Sequence, residues 1–367
     1  MLAKKLFNFT LIFCCFFAVS FVTPITASVE VKTVFGHIKL ENELLKIYNM
    51  KHMQRLLGVD QSGTAVYWSG VTKFGKIPKF SRLEHSLDVL WLVKNFGADI
   101  KEQIAALVHD ISSTVFSNVA DIVFGISGYQ DTIHEWFLQQ TEIESLICGL
   151  DLVEKDILPE NPEFKRLKQP LPDMCADRIA HNIHTALILK LLDENEIKEI
   201  INDLRFDDGY WYFTSVKVAK KFAAISLTLT EHFWESADNL VLCHISSLIL
   251  KKAFDLGRIT KEDMNFGIDK QILDKLAVCD DPKIKLYIKN AQNVKKSYRI
   301  LKEGEGSPDF VPKPKFLGID PLLYNKHTKK TKRLTEIDKS FLKEFTRVKK
   351  LCETGYKIQL QLSPISH

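Results

Sequence analysis

The stretch ALVHDISS, residues 106–113, ends an apolar run with an adjacent imidazole and carboxylate, those of His109 and Asp110. In the longer segment KEQIAALVHDI, residues 101–111, apolar residues recur at helical spacing, which predicts a buried helix that leads directly into this pair. His-Asp dipeptides also arise by chance, so the pair alone does not define a site. Whether His109 and Asp110 belong to a site depends on which residues of other helices lie beside them.

The charge of the chain is concentrated in one segment. The 367 residues are 46% hydrophobic and 26% charged, which is typical of a soluble globular protein. Residues 309–350 hold 12 Lys and Arg against 5 Asp and Glu, so this segment carries +7, whereas the whole chain carries +4. It is expected either to contact nucleic acid, anionic lipid or a partner subunit, or to be an ordinary solvated face. Its C-terminal part, residues 325–350, lacks the interleaved aromatic residues of a single-strand binding groove.

The first residues have the layout of a secretory signal. Lys4 and Lys5 precede an apolar run of 17 residues at 6–22, and Pro24 with small residues around Ala27 follows. This pattern predicts a signal peptide over residues 1–27 and an exported protein, periplasmic or secreted. An uncleaved membrane anchor is the alternative, because the run approaches the shortest length that spans a bilayer.

Helical periodicity dominates residues 42 to about 300 and predicts a mainly α fold. Helices are expected around residues 44–57, 83–93, 101–111, 130–148, 177–192, 217–235, 238–255, 284–301 and 335–351. One β-hairpin is expected at the Asp208-Gly209 turn. The Gly- and Pro-containing segment 303–315 predicts a linker to a basic C-terminal extension, residues 303–367. Five widely spaced cysteines outside the signal segment, without CxxC spacing, favour free thiols.

Two further residues would complete a metal site with the His-Asp pair. His85 begins a helix 24 residues before His109, so a short helical hairpin would bring the two together, and Asp177 begins a third helix. Nitrogen and oxygen donors that converge from several helices can hold a divalent metal. Taken singly, however, His85 is more simply a hydrogen-bonded histidine and Asp177 an N-cap.

Several motifs in order resemble those of the HD superfamily of metal-dependent phosphohydrolases, in the branch of deoxynucleoside triphosphate triphosphohydrolases. The matching segments are MQRLLGVDQSGTAVYW (53–68), SRLEHSL (81–87), ALVHDISSTVFS (106–117), HEW (134–136) and ADRIAHNIH (176–184). The resemblance implies an HD-domain helical bundle over residues 31–302, with a small β-hairpin and a mixed C-terminal extension. Relatives often self-associate, so a homo-oligomer is a further expectation.

The resemblance also implies roles for individual residues. One divalent metal (Mn, Fe, Co, Ni, Zn or Mg) would be bound by His85, His109, Asp110 and Asp177. His134 and Glu135 match a pair in which an imidazole, held by a carboxylate, handles protons near the scissile phosphate. Gln61 and Arg82 match positions that contact the sugar and the phosphates; the Arg82 fork suits phosphate because it donates two parallel hydrogen bonds.

The chain departs from the family pattern at positions that bear on catalysis. Where relatives read like HDxGHxPFSH, this chain has Ser112, Ser113 and Asn118 in place of a glycine and two histidines. Asn118 cannot exchange a proton near neutral pH, so it is expected to contact substrate without acting as an acid or base. His181 and His184 stand where a tyrosine and an arginine are common. Helical spacing puts both on the face of Asp177, which predicts that they contact substrate, unless that face is solvent-exposed.

The sequence therefore predicts an exported metal-dependent phosphohydrolase that acts on a nucleotide, in the manner of a dNTP triphosphohydrolase, or on another phosphate ester. Water activated by the metal would be the nucleophile. The alternative is a catalytically impaired HD-domain protein that binds a metal and a nucleotide or phosphate ligand without turnover, which Asn118 favours.

Overall fold

A computed structural model describes residues 28–68, 71–326 and 328–362 of the chain. The segment predicted as a signal peptide lies outside these residues. Helices occupy Asn42–Asn49 (α1), Lys51–Gln54 (α2), Arg82–Asn95 (α3), Ile100–Val108 (α4), Val119–Phe124 (α5), Tyr129–Thr132 (α6), His134–Gln139 (α7), Ile143–Cys148 (α8), Ala176–Ile188 (α9), Glu194–Asp203 (α10), Val216–Leu229 (α11), Ala237–Asp255 (α12), Lys261–Phe266 (α13), Asp269–Ala277 (α14), Pro282–Gln292 (α15), Leu334–Ile337 (α16) and Lys339–Thr354 (α17).

Strands are short and lie at the margins of the helical core. They occupy Ser28–Thr33 (β1), Gly36–Glu41 (β2), Val71–Thr72 (β3), Gly75–Lys76 (β4), Leu204–Asp207 (β5), Tyr210–Phe213 (β6), Tyr298–Ile300 (β7), Leu322–Asn325 (β8), Lys330–Arg333 (β9) and Ile358–Leu360 (β10). The predicted mainly α fold is confirmed. Among the helices of the described residues, none has the length and apolar character needed to cross a bilayer.

Helix α3 packs against both α4 and α9, and these three helices form the frame of the core. The start of α3 is set by a capping box at Ser81, whose hydroxyl accepts a hydrogen bond from the Glu84 backbone while the Glu84 carboxylate accepts one from the Ser81 backbone. Asp99 caps α4 through the Glu102 N–H. These caps fix where His85 enters α3 and where α4 ends before His109.

Five predicted helices are interrupted. The helix expected at 44–57 breaks at Met50 and the one expected at 335–351 breaks at Asp338, because both residues have an extended backbone. The helix expected at 130–148 is three short helices, α6 to α8, because the chain turns at Ile133 and again after Gln139. The helix expected at 284–301 ends at Gln292. The hydroxyl of Ser297 donates to the Asn290 carbonyl, which turns the chain into β7. The helix expected at 217–235 ends at Leu229 and continues as one π-helical turn, Thr230–Trp234.

The predicted hairpin at Asp208-Gly209 is confirmed, since β5 and β6 pair antiparallel across it. Both turn residues have positive φ, 48° and 79°, as a two-residue type I′ turn requires. The sheet then grows with strands from the C-terminal extension. Strand β8 pairs parallel to β6 and β9 pairs with β8, giving the order β5-β6-β8-β9.

The C-terminal extension is integrated with the helical core. Besides β8, strand β10 pairs antiparallel with β7, and helix α17 packs on α11. The segment that follows the predicted linker runs along the core as well, where the Ser226 hydroxyl donates to the Leu317 carbonyl at 3.2 Å. Residues 303–362 therefore extend the core instead of standing apart from it.

A buried carboxylate at the start of α14 ties three distant segments together. Asp269, which has no exposed surface, accepts hydrogen bonds from the backbone N–H groups of Asp60 at 2.9 Å and Phe116 at 2.8 Å. It also accepts one from the Tyr67 side chain. The Ser117 hydroxyl in turn donates to the Asp60 carbonyl. This cluster holds the loop at residues 60–67 against the turn that follows His109 and Asp110.

Candidate metal centre and its cavity

Three predicted ligands converge at the junction of α3, α4 and α9. One ligand atom from each of His85, His109 and Asp177 lies within 4.8 Å of the other two. His85 Nε2 is 3.0 Å from Asp177 Oδ1, and His109 Nε2 is 3.9 Å from the same oxygen. Both imidazoles are buried. The helical hairpin expected from the 24-residue spacing thus brings the two histidines together.

The hydrogen bonds of His109 fix which nitrogen is available to a metal. Its Nδ1–H donates to the Ala106 carbonyl at 2.8 Å, so its Nε2 carries the lone pair. That Nε2 is buried and has no hydrogen-bond partner among the described residues. Burial also lowers the pKa of His109, which favours the neutral, metal-binding form. A buried imidazole lone pair without a donor is the expected state of a metal ligand.

Asp110 lies beside the three ligands but is also bound by an arginine. Its Oδ2 is 3.7 Å from His109 Nε2 and 3.9 Å from His85 Nε2. Arg82 Nη1 donates to both of its oxygens, at 2.9 and 2.8 Å, and the Ser113 hydroxyl donates at 3.1 Å. Although burial alone would raise it, the pKa of Asp110 is lowered because Arg82 stabilises the carboxylate. Arg82 therefore orients Asp110 as well as facing the cavity.

A lysine that sequence reasoning missed pairs with Asp177. Lys168 Nζ is 2.7 Å from Asp177 Oδ2, the oxygen that does not contact His85. Burial opposes both charges, yet the pair holds the pKa of Asp177 well below its usual range and raises that of Lys168. Lys168 also lines the cavity, so a fixed positive charge stands beside the candidate metal centre.

The partner of His134 differs from the sequence prediction. His134 is buried and its Nδ1 lies 2.8 Å from the Ser112 hydroxyl. Its Nε2 is buried without a hydrogen-bond partner among the described residues, and the side chain lines the cavity. Glu135 is only part-buried and does not line it. A serine therefore holds the imidazole, because the first turn of α7 points Glu135 away from His134.

The candidate ligands open into a cavity of about 380 Å³. Of the predicted substrate contacts, Gln61, Arg82, Asn118 and His181 line it. Asn118 is exposed at its rim. Burial lowers the pKa of His181 to about 3, so this imidazole is neutral near physiological pH. The cavity is within the size range of small-molecule sites.

His184 does not reach this cavity, contrary to the sequence prediction. Its Nδ1 lies 2.5 Å from Asp88 Oδ2, and its ring stacks on Phe80 with centroids 3.5 Å apart. The other Asp88 oxygen accepts a hydrogen bond from the Val34 backbone. The shared helix face predicted for His181 and His184 is split, because α3 covers the part of α9 that carries His184.

The π-helical turn forms part of the cavity wall. The Glu235 N–H donates to the Thr230 carbonyl at 3.0 Å, a bond over five residues that widens the helix and presents Trp234 and Glu235 to the cavity. The Trp234 ring packs on His181 with centroids 4.5 Å apart. Burial raises the pKa of Glu235 to about 7, despite a hydrogen bond from the Lys315 backbone.

The pKa of Glu235 makes stability depend on pH. Because its folded-state pKa lies above the unfolded value, its stabilising contribution is present at acidic pH and is lost as pH rises from about 4.5 through about 7. Glutamine at this position cannot ionise. Between about pH 5 and about pH 8 we therefore expect the free energy of unfolding of Glu235→Gln to fall by about 2 kcal/mol less than that of wild type. Urea unfolding at the two pH values measures this difference. Equal losses in both proteins would contradict the expectation.

Comparisons with known proteins find two sequences similar to this chain. No family model matches it. Protein YdhJ of Bacillus subtilis, described as uncharacterized, is 24% identical over 293 residues, 79% of this chain and 87% of YdhJ. The metal-dependent phosphohydrolase cns2 of Cordyceps militaris is 29% identical over 202 residues, about half of each protein, 53% of this chain and 54% of cns2.

Two solved structures share the fold. A crystal structure of a phosphohydrolase from Bacteroides thetaiotaomicron superimposes with a TM-score of 0.65 at 15% identity, covering 92% of this chain and all of that one. A hypothetical protein from Aquifex aeolicus superimposes equally well, covering 86% of this chain and 93% of that one. The chain is thus a homologue of a metal-dependent phosphohydrolase and has the fold of a solved phosphohydrolase.

Proposed function

We propose that this chain is an HD-type metal-dependent phosphohydrolase that hydrolyses a nucleotide or a related phosphate ester. The observation that carries the proposal is the convergence of His85, His109 and Asp177 within 4.8 Å, beside a cavity that His109 and Asp177 line. Asp110 completes the donor set at the distances given above. Two imidazoles and two carboxylates suit several first-row divalent metals.

The residues present fit such a metal. The buried lone pair of His109 Nε2 has no donor among the described residues, and the Ala106 carbonyl holds the ring in the tautomer that leaves this lone pair free. A divalent cation there would supply Lewis-acid chemistry, lowering the pKa of water and neutralising phosphate charge. His85, His109, Asp110 and Asp177 would hold it.

The side chains around this centre supply charge and proton handling for phosphate chemistry. Lys168 and Arg82 line the cavity and bring positive charge to the place where phosphate oxygens would lie. Burial lowers the pKa of His134 to about 4, so its imidazole is neutral near physiological pH. The Ser112 contact occupies Nδ1 and directs Nε2 into the cavity, where it can exchange a hydrogen bond with a reacting oxygen.

Unpaired acceptors in the cavity favour a substrate with hydroxyl groups over inorganic phosphate alone. Gln61 Oε1, Thr64 Oγ1 and Gln130 Oε1 are buried, belong to residues that line the cavity and have no hydrogen-bond partner among the described residues. Buried acceptors are costly unless a donor satisfies them. Sugar hydroxyls are donors of this kind, so a nucleotide would satisfy these acceptors while its phosphate lies at the metal centre.

A phosphate-release screen tests the proposal. The protein without residues 1–27 would be assayed with manganese, nickel, zinc and magnesium against dNTPs, nucleoside monophosphates and a generic phosphodiester. We expect turnover that requires the metal and is specific to one substrate class. Absence of turnover over the whole panel, with metal bound, would contradict hydrolysis and support the alternative in which the protein binds a nucleotide without cleaving it. Asn118 at the cavity rim, where relatives have histidine, favours that alternative.

Replacement of Ser112 tests the contact that holds His134. We expect Ser112→Ala to lower kcat by about 10- to 100-fold, because the imidazole loses the hydrogen bond that fixes its orientation. Metal content should remain that of wild type, since Ser112 contacts none of the candidate ligands in this structure. Steady-state kinetics and metal analysis of the purified variant measure both. An unchanged kcat would exclude the orienting role.

We further propose that the mature protein is exported, which rests on the charge and apolar pattern of residues 1–27. Expression of the full chain should yield a processed protein whose N-terminus lies close to Ser28, as determined by mass spectrometry. An unprocessed N-terminus in the membrane fraction would instead favour the anchor.

A further inference from the structure

One part of the cavity wall differs in chemistry from the candidate metal centre. This part combines the Trp234 ring, the Glu235 carboxyl group and the amide of Asn239 with Lys315 from the C-terminal extension. The Asn239 Nδ2 group donates to the Trp234 carbonyl at 2.7 Å and thereby holds the turn that carries Trp234. A flat aromatic ring beside a hydrogen-bonding group is suited to a planar heterocycle.

The two carboxylate oxygens of Glu235 have different environments. Oε2 accepts a hydrogen bond from the Lys315 backbone N–H at 2.8 Å, and this bond fixes the orientation of the carboxylate. Oε1 has no hydrogen-bond partner among the described residues, although the side chain lines the cavity. A fixed acceptor that faces a cavity recognises an N–H or O–H donor.

We propose that Glu235 is a specificity residue that selects nucleotides whose nucleoside part carries a planar base with an amino group. The inference rests on the proposed function in one respect, since it places the phosphate at His85, His109 and Asp177 and the base against Trp234. The ionised carboxylate accepts a hydrogen bond from the amino group, while the Trp234 ring covers one face of the base. A site built around such an acceptor rejects an analogue that lacks the donor.

Pairs of nucleotides that differ by one amino group isolate this contact. Adenosine and purine riboside monophosphates form one pair, and guanosine and inosine monophosphates form the other. Binding would be measured by calorimetry at alkaline pH with the metal bound, on the 5′-phosphonate analogue of each nucleotide, which cannot be hydrolysed, so that turnover plays no part. Both members of a pair carry the same phosphonate and sugar, so the ratio of their Kd values reports on the amino group alone.

We expect wild type to prefer the amino-bearing member of at least one pair by about 10- to 100-fold. Glu235→Ala should reduce that ratio to about one. Glu235→Gln, which keeps the shape but not the charge, should reduce it at least about threefold. If Glu235→Ala does not fold, the Kd ratio of Glu235→Gln alone tests the inference.

Two results would overturn the inference: equal Kd values within both pairs for wild type, or a preference that survives in both variants. Either result leaves the proposed hydrolysis intact, because phosphate release is measured separately. Conversely, a preference that depends on Glu235, in a protein without turnover, would support base recognition and contradict hydrolysis.

Discussion

His109→Ala is expected to abolish metal-dependent phosphate release, with a loss of at least about 10³-fold in kcat/KM. The variant removes an imidazole whose Nε2 lone pair is buried without a hydrogen-bond partner among the described residues. Metal chemistry of this kind contributes several kcal/mol to transition-state stabilisation, which corresponds to a rate factor of this order. Asp110→Ala should show a comparable loss, since it removes the carboxylate that lies beside both imidazoles. Steady-state kinetics together with metal analysis measure both effects.

His37→Ala provides the matched control, because His37 is exposed on β2. Its activity and metal content should equal those of wild type. Retention of metal-dependent turnover by His109→Ala would show that this histidine is not required, and the proposed centre would then be wrong. Circular dichroism of each variant separates loss of the site from loss of the fold.

The second large effect is one of stability, at Asp269. Asp269→Ala leaves the backbone N–H groups of Asp60 and Phe116 buried without acceptors, each at a cost of about 1–3 kcal/mol. Burial raises the pKa of Asp269 to about 6, so removal of the carboxylate also relieves part of the cost of a buried charge. We therefore expect the free energy of unfolding to fall by about 2–4 kcal/mol. Urea unfolding at neutral pH measures it.

Asp274→Ala, on the same helix α14, is the control for this experiment. Asp274 is exposed and pairs with Lys270 at the surface, so its replacement should change the unfolding free energy by less than about 0.5 kcal/mol. The unfolding free energy of Asp269→Asn should lie between those of Asp269→Ala and Asp274→Ala, since the amide retains one acceptor oxygen. If Asp269→Ala were as stable as the control, the hydrogen bonds that Asp269 accepts would not stabilise the fold.

The sequence predicted the parts of the fold that depend on local pattern. Caps at Ser81 and Asp99 and the apolar spacing between them set α3 and α4, so the approach of His85 to His109 followed from helix lengths alone. The Asp208-Gly209 dipeptide likewise predicted the β-hairpin, because a two-residue turn needs positive φ at both positions and Asp and Gly tolerate it. The mainly α fold followed from the same periodicity.

The details of the site depended on contacts between distant segments, which a local pattern does not encode. Lys168 follows no motif, and its pairing with Asp177 arises from the loop that enters α9. The pairing of His184 with Asp88 needed the packing of α9 on α3. Ser112 was visible as a departure from the family pattern, but its hydrogen bond to His134 was not predicted.

The integration of the C-terminal extension has a consequence for the order in which the molecule is completed during synthesis. The hydrogen bond between Lys315 and Glu235 joins residues 80 positions apart, and β8 pairs with β6, which lies far earlier in the chain. Contacts of such long sequence separation form late in folding. A nascent chain that carries every candidate metal ligand therefore still lacks Glu235 and the Lys315 backbone N–H that orients its carboxylate. The candidate metal ligands are thus synthesised well before the last part of the cavity wall.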